Sequence, residues 1–210
     1  MPVSDLIVHY HDAQCVIVEK PSGRLSVPGR VPGPSLTDQV QTVFADARVV
    51  HRLDESTSGL MLFARGEAMA GVFGRLFERR EVNKRYEAIV HGQVEAADGV
   101  LDWPLIRDWP NRPRQKVCFE TGKASQTHYT RLALLPEHNA TRLSLVPLTG
   151  RTHQLRVHLM QFGHPILGDR LYGDDTVRDA APRLLLHACE LGFVHPVSGE
   201  DITVTSPVPF

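Results

Sequence analysis

The run Leu60-Met61-Leu62-Phe63-Ala64, entered through His51-Arg52-Leu53-Asp54-Glu55-Ser56-Thr57-Ser58-Gly59, constrains the fold of this chain more than any other feature. Five consecutive apolar residues behind a tight Thr-Ser-Gly turn read as a buried strand, too short for a helix of its own. The same stretch sets one carboxylate, Asp54, between an arginine and that turn. An acid held this way can stay ionised and aimed, which suits a nucleophile or base more than a surface charge. Taken alone, the simpler account is an aspartate capping the turn at Thr57-Ser58.

The remaining pattern is mostly strands. Leu6 to Tyr10 and Cys15 to Glu19 read as short strands around a His11-Asp12-Ala13-Gln14 turn. Proline and glycine from Pro28-Gly29 to Pro32-Gly33-Pro34 predict a loop. Ser35 then looks like an N-cap, with Asp38 in the first turn and Leu36, Val40, Val43 and Phe44 at helical spacing. A second amphipathic helix is expected over 67–80, although Gly71 and Gly74 oppose it. Strands are expected over 85–94, 126–135, 141–146, 184–194 and 202–205, and residues 102–116 read as an ordered surface loop. Thr152 can cap a helix ending near Phe162, with Gly163 as the residue after the cap. Strands that follow one another without an intervening helix give an α+β order: a mixed, mostly antiparallel central sheet with flanking helices and loops. With no repeat or low-complexity linker, residues 1–210 read as one domain.

Composition narrows the function. No apolar stretch reaches membrane-spanning length, and residues 1–10 lack a basic leader with an apolar block, so a cytoplasmic protein without a membrane partner is expected. Cys15, Cys118 and Cys189 form no CxxC pair, which suggests buried thiols in a reducing compartment and no metal site. The net charge of −1 does not advertise nucleic-acid binding, but the charges segregate. Residues 75–85 carry Arg75, Arg79, Arg80, Lys84 and Arg85; residues 107–123 carry Arg107, Arg112, Arg114, Lys116 and Lys123; the segment from Asp174 onward leans acidic. Each cluster alone reads as a solvated face, and two of them flanking a candidate site read as a phosphate-binding surface.

Five motifs occur in one order: Glu19-Lys20-Pro21-Ser22-Gly23, the Asp54 loop, Lys84-Arg85-Tyr86, Leu148-Thr149-Gly150-Arg151-Thr152-His153-Gln154-Leu155-Arg156-Val157-His158, and Leu185-Leu186-His187-Ala188. In this order they resemble the RluA-type pseudouridine synthases over nearly the whole chain. The resemblance implies the pseudouridine synthase catalytic fold and an enzyme that isomerises uridine to pseudouridine in RNA stem-loops, without a cofactor. It implies that Asp54 is essential, that Arg151 pairs with it, that Tyr86 stacks on the target base, and that Arg52 fills the space left by a flipped uridine. Residues 107–129 resemble the dual-specificity branch more closely than the wider family, which implies substrates in 23S rRNA, in the tRNA anticodon loop, or in both. The N-terminal S4-type domain of many members is expected to be absent, because only 50 residues precede His51.

The reaction explains the residue types. Breaking the bond between ribose C1′ and uracil N1 builds positive charge on the sugar, which a nearby carboxylate can trap, stabilise, or relieve by removing a proton. A phenol offers a flat face to uracil, and a planar guanidinium can stack in a vacated base position while reaching phosphate. Against these stand a core-filling strand tyrosine for Tyr86, a solvent-facing helix-start arginine for Arg151, and an ion pair with Glu55 or Asp54 for Arg52. Lys84, Arg112, Arg114, Lys116 and Arg156 are the expected RNA contacts, Arg156 with solvation of its helix as an equal alternative. His153 and His158, five apart, fit no metal-binding helix face and read as structural or RNA-contacting. His187 reads as support for the pocket wall. Two rivals remain: an RNA-binding module that has lost its chemistry, and a nucleoside hydrolase pairing Asp54 with Glu19, Glu55 or Asp169. No dinucleotide fingerprint or ATP-binding glycine loop is present.

Overall fold

The computed structural model describes residues 6–29 and 33–210. Part of the predicted Pro/Gly loop, residues 30–32, lies outside the described residues, as do residues 1–5. The chain forms two compact units, one from Met1–Lys84 with Ala188–Pro209 and the other from Arg85–His187 with Phe210.

In the first unit, β1 (Val8–His11), β2 (Cys15–Lys20) and β4 (Ser58–Arg65) form an antiparallel meander in which Cys15 opposes Ala64 and Lys20 opposes Gly59. A short strand, β3 (Ala47–Val49), pairs with the end of β4. Seven of the eight residues of β4 are buried, and so are five of the six in β2. The unbroken apolar run follows from this, because a strand covered on both faces has no reason to alternate. One face carries Val16, Val18, Met61 and Phe63 against Leu36 and Val40 of α1 (Leu36–Val43). The other carries Ile17, Leu60 and Leu62 against Phe73 of α2 (Gly66–Glu78). Ser35 caps α1 as expected: its hydroxyl accepts from the Asp38 N–H, and the Asp38 carboxylate accepts from the Ser35 N–H. The α2 helix forms despite Gly71 and Gly74, because Phe73 is fully buried edge-on to Phe193, with ring centroids 5.4 Å apart. Phe193 lies on β11 (Leu186–Val194), which pairs with β12 (Asp201–Thr205). Gly59 is irreplaceable at its position. Its φ is +115°, and a Cβ there would meet the Ala188 carbonyl oxygen at 2.3 Å.

In the second unit, β5 (Val82–His91, in this unit from Arg85 onward), β10 (Ala140–Pro147), β9 (Gln126–Leu135) and β6 (Asp98–Asp102) lie side by side, all antiparallel. Ala88, Val90, Leu101, Tyr129, Leu143 and Leu145 line the face that takes Leu155 and Leu159 of α3 (Gln154–Gln161). The opposite face leaves Val100, Leu132, Leu134 and Val146 exposed. The expected surface loop at 102–116 instead contains a hairpin, β7 (Leu105–Arg107) paired with β8 (Gln115–Val117). Three-residue strands fall below what alternation can reveal; buried Leu105, packed with Val157 and Tyr172, anchors this one. A short helix, α4 (Asp175–Asp179), a 3-10 turn at Pro136–His138 and strands β3 and β6 are further elements that periodicity did not reveal. The helix cap at Thr152 is also corrected: His153, at φ +55°, holds the N-cap position, and no side chain caps it. Gly163 does follow the last turn, at φ +86° with its N–H on the Met160 carbonyl. Both units are mostly antiparallel sheet with helices packed on it, the expected α+β arrangement.

Candidate active site

Asp54 lies in the first unit, half-buried, on the segment joining β3 to β4. Four consecutive backbone carbonyls of that segment accept hydrogen bonds. The Ser26 hydroxyl donates to the Leu53 carbonyl at 2.7 Å, and the Thr57 N–H to that of Asp54 at 3.1 Å. The Gly23 N–H and the Lys20 ammonium both donate to the Glu55 carbonyl at 2.8 Å, and the Ser22 hydroxyl donates to that of Ser56 at 2.7 Å. Lys20 is fully buried, and its ammonium also reaches the carbonyls of Pro21 at 3.0 Å and Arg24 at 2.7 Å. Three carbonyl dipoles around a buried ammonium supply what burial removed. The first motif is therefore the bracket of the Asp54 loop. Its sequence signal was visible, but the role of Lys20 was not, since nothing marks a lysine as buried until the chain folds around it.

His51, three residues before Asp54, accepts the Leu62 N–H on Nε2 at 2.9 Å and stacks on Phe77 with centroids 4.4 Å apart. Burial, with the nearby Lys84 charge second, drives its pKa down to about 3, so the ring is neutral and ties the loop to β4. Burial, with Arg80 second, also lowers the Lys84 pKa. Arg52 is exposed.

The other expected residues belong to the second unit. Tyr86 sits in β5 opposite Leu145, half-buried against the core cluster of Ala88 and Leu143. Arg151 is exposed, and its Nε donates to the Ala124 carbonyl at 3.1 Å. Its backbone N–H donates to Gln154 Oε1 at 3.0 Å, a bond that fixes the turn before α3. Gln154 also accepts from the Thr149 hydroxyl and donates to Thr127 Oγ1. The Thr127 hydroxyl in turn faces His158 Nδ1 at 3.0 Å, and His158 Nε2 faces the Trp103 carbonyl at 3.1 Å. His158 is fully buried, and burial lowers its pKa, so this histidine is a structural crosslink and not an RNA contact.

Arg156 requires a correction. The expected phosphate contact is buried, with Nε on Asp169 Oδ2 at 2.8 Å and Nη2 on Oδ1 at 2.6 Å. Asp169 Oδ1 also accepts the N–H groups of Leu171 and Tyr172. A guanidinium closed bidentately on a buried carboxylate is a structural pair, and the same bonds remove Asp169 as a second catalytic acid. Arg112, Arg114 and Lys116 are exposed on the hairpin. The guanidinium of Arg112 lies 4.0 Å from the Trp109 ring centroid and that of Arg107 4.9 Å, while Arg114 stands over Tyr172 at 5.4 Å. Lys116 is 3.9 Å from Asp108.

Among the described residues, Asp12, Cys15 and His195 bring possible metal-ligating atoms within 4.8 Å of one another. Their hydrogen bonding does not fit an ion. His195 Nδ1 accepts the Ser198 N–H at 3.0 Å, which leaves the ring proton on Nε2, the atom facing Asp12 at 3.1 Å. A metal-bound imidazole needs the reverse, a lone pair toward the ion and a donor on the far nitrogen. Burial also pushes the Cys15 thiol up to about 12, away from the thiolate a metal requires. No helix among the described residues is long and apolar enough to cross a membrane.

Comparison with known proteins agrees with the motif order. Residues 14–161 match the family model described as RNA pseudouridylate synthase. The chain is 47% identical over 207 residues to the dual-specificity RNA pseudouridine synthase RluA of Escherichia coli strain K12, covering 98% of this chain and 94% of that protein. It is also 47% identical over 206 residues to the protein of the same name from Pasteurella multocida, covering 97% and 93%. Among solved structures, human RNA pseudouridylate synthase domain containing 1 aligns over 100% of this chain and 86% of its own, at 30% identity and a TM-score of 0.86. An anchored aspartate loop, the five motifs in order and these likenesses over nearly the full length lead to one statement: the chain belongs to the RNA pseudouridylate synthase family.

Proposed function

We propose that this isomerase converts uridine to pseudouridine in stem-loops of 23S rRNA and of the tRNA anticodon loop, in the cytoplasm, with residues 1–210 acting as one catalytic domain. The dual-specificity name of relatives 47% identical over 94% of their length supports the pair of substrates. Asp54 is the carboxylate that acts on the sugar. Covalent attack at C1′, stabilisation of the developing cation and proton removal from the sugar all need a carboxylate fixed in place. Arg151 supplies the catalytic guanidinium, Tyr86 stacks on the base, and Arg52 enters the stack when the uridine flips, offsetting part of an unstacking cost of a few kcal/mol. Arg107 and Arg112 on Trp109, which is 56% exposed, support the hairpin as a surface for backbone contacts and base stacking. Lys84, Arg114 and Lys116 complete the expected phosphate contacts.

The observation that carries the reading is the anchoring of all four carbonyls from Leu53 to Ser56, which holds Asp54 on a rigid support. Transcripts tritiated at uridine C5 test it. The wild-type protein is expected to release tritium at discrete sites and to retain the base in the strand, and Asp54→Asn to release none while binding RNA within about twofold of wild type, since the substitution removes charge and little volume. Free uracil in place of retained base would establish a hydrolase instead.

A further inference from the structure

Ser26 lies outside the five motifs and has no charge, yet it is the residue that fixes the backbone immediately before Asp54. Its side chain is 4% exposed. The hydroxyl donates to the Leu53 carbonyl at 2.7 Å and accepts the Leu53 N–H at 3.1 Å, so one oxygen satisfies both backbone polar groups of a buried residue. Its own carbonyl accepts the Thr37 N–H at 3.1 Å and the Thr37 hydroxyl at 2.7 Å, which ties Ser26 to the first turn of α1. The Leu25 carbonyl likewise accepts the Leu36 N–H at 2.8 Å. A continuous chain of hydrogen bonds therefore runs from α1 through Ser26 to the residue whose C–N bond leads into Asp54. Rotation about the Leu53 backbone would swing the whole of Asp54, and Ser26 opposes it by holding both the N–H and the carbonyl of Leu53.

We propose that Ser26 is a positioning residue for Asp54, a role that rests on reading Asp54 as the catalytic carboxylate. Ser26 touches no substrate. It acts by holding the Leu53 peptide at the angle that aims the acid. Misplacement of a reacting group by about 1 Å costs on the order of 100-fold in rate, so the loss should appear in kcat and not in RNA affinity. A side chain that merely stabilises the unit would lower the melting temperature and leave kcat alone.

Four variants of the full chain separate these cases: Ser26→Ala, Ser26→Cys, Asp54→Asn and Val204→Ala. Val204→Ala trims a buried core side chain on β12 in the same unit, outside the hydrogen-bond chain from α1 to Leu53, and serves as a stability control. Single-turnover tritium release, RNA affinity and thermal unfolding are measured for each. Ser26→Ala is expected to lower kcat about 10- to 100-fold with affinity within about twofold of wild type. Ser26→Cys, which keeps a weaker donor and acceptor in the same place, should fall between Ser26→Ala and wild type. Val204→Ala should lower the melting temperature with kcat unchanged. Wild-type kcat in Ser26→Ala, affinity falling in step with activity, or an equal kcat loss in Val204→Ala would overturn the proposal. Should Ser26→Ala be insoluble, the Ser26→Cys rate decides alone, and a wild-type value overturns it. Asp54→Asn keeps the two readings apart. Turnover in that variant removes the Asp54 assignment itself, whereas an inactive Asp54→Asn beside a fully active Ser26→Ala removes only the positioning role.

Discussion

Arg156 and Asp169 face each other through two hydrogen bonds, at 2.8 and 2.6 Å, and both side chains are almost completely buried. An arginine in a basic, RNA-associated motif is thus committed to the interior. Removing one partner of such a pair leaves an uncompensated charge, and Arg156→Ala should cost about 3–5 kcal/mol of stability. The salt dependence of RNA binding by the fraction that folds should be unchanged. Denaturant unfolding and a salt titration measure the two effects, and a stable Arg156→Ala with a shallower salt slope would return Arg156 to the RNA surface.

Gly59 provides a steric prediction. A Cβ there would lie 2.3 Å from the Ala188 carbonyl oxygen and 2.5 Å from its nitrogen, both backbone atoms that cannot rotate away. Overpacking and a positive φ add, so Gly59→Ala should destabilise by about 2–5 kcal/mol. Gly23→Ala, also at positive φ but with no atom within 4 Å of its Cβ, should cost less than half as much. Equal losses in the two variants would remove the argument from close approach.

His51 sets an acid limit on stability. Its folded pKa, about 3, lies below the ordinary 6.5, so the unfolded chain binds the proton more readily. Its contribution is fully present above about pH 6.5 and is lost as the pH falls from there toward 3. Buried His158 acts in the same direction. His51→Gln keeps an acceptor for the Leu62 N–H and has no proton to gain, so unfolding free energy measured from pH 7 to pH 4 should fall less steeply than in wild type. An unchanged slope would show that His51 is not held neutral by the fold.

The hairpin is tested through salt. Replacing Arg107, Arg112, Arg114 and Lys116 by glutamine should flatten the dependence of log K on log salt by about 0.7–0.9 for each phosphate that these side chains neutralise in the wild-type complex. Trp109→Ala should weaken binding by about 1–3 kcal/mol if it stacks on a base. Wild-type slopes and affinities in both would remove the hairpin from the RNA interface.

Long periodic segments were legible before folding. The α1 capping box, the α2 face around Phe73 and the paired strands β9 and β10 follow from local pattern, because each buries a face whose spacing the chain carries. The hairpin at 105–117 was not legible, since its three-residue strands form only because Leu105 finds Val157 and Tyr172, about 50 and 65 residues further along the chain. The cap at Thr152 failed for a related reason. The turn before α3 is held instead by Gln154, which accepts from the Arg151 N–H and the Thr149 hydroxyl and donates to Gln126 and Thr127 on β9.

Motif order by itself determined the family and drew attention to Asp54, because the residue types needed to break a glycosidic bond in RNA are few and their spacing is distinctive. Tertiary structure decided which polar side chains are interior: Lys20 among three carbonyls, Ser26 on both backbone polar groups of Leu53, and Arg156 closed on Asp169. The reason is physical. A buried polar group is defined by partners that arrive from distant parts of the chain, and a lysine, a serine or an arginine reads the same in sequence whether it meets water or a carbonyl.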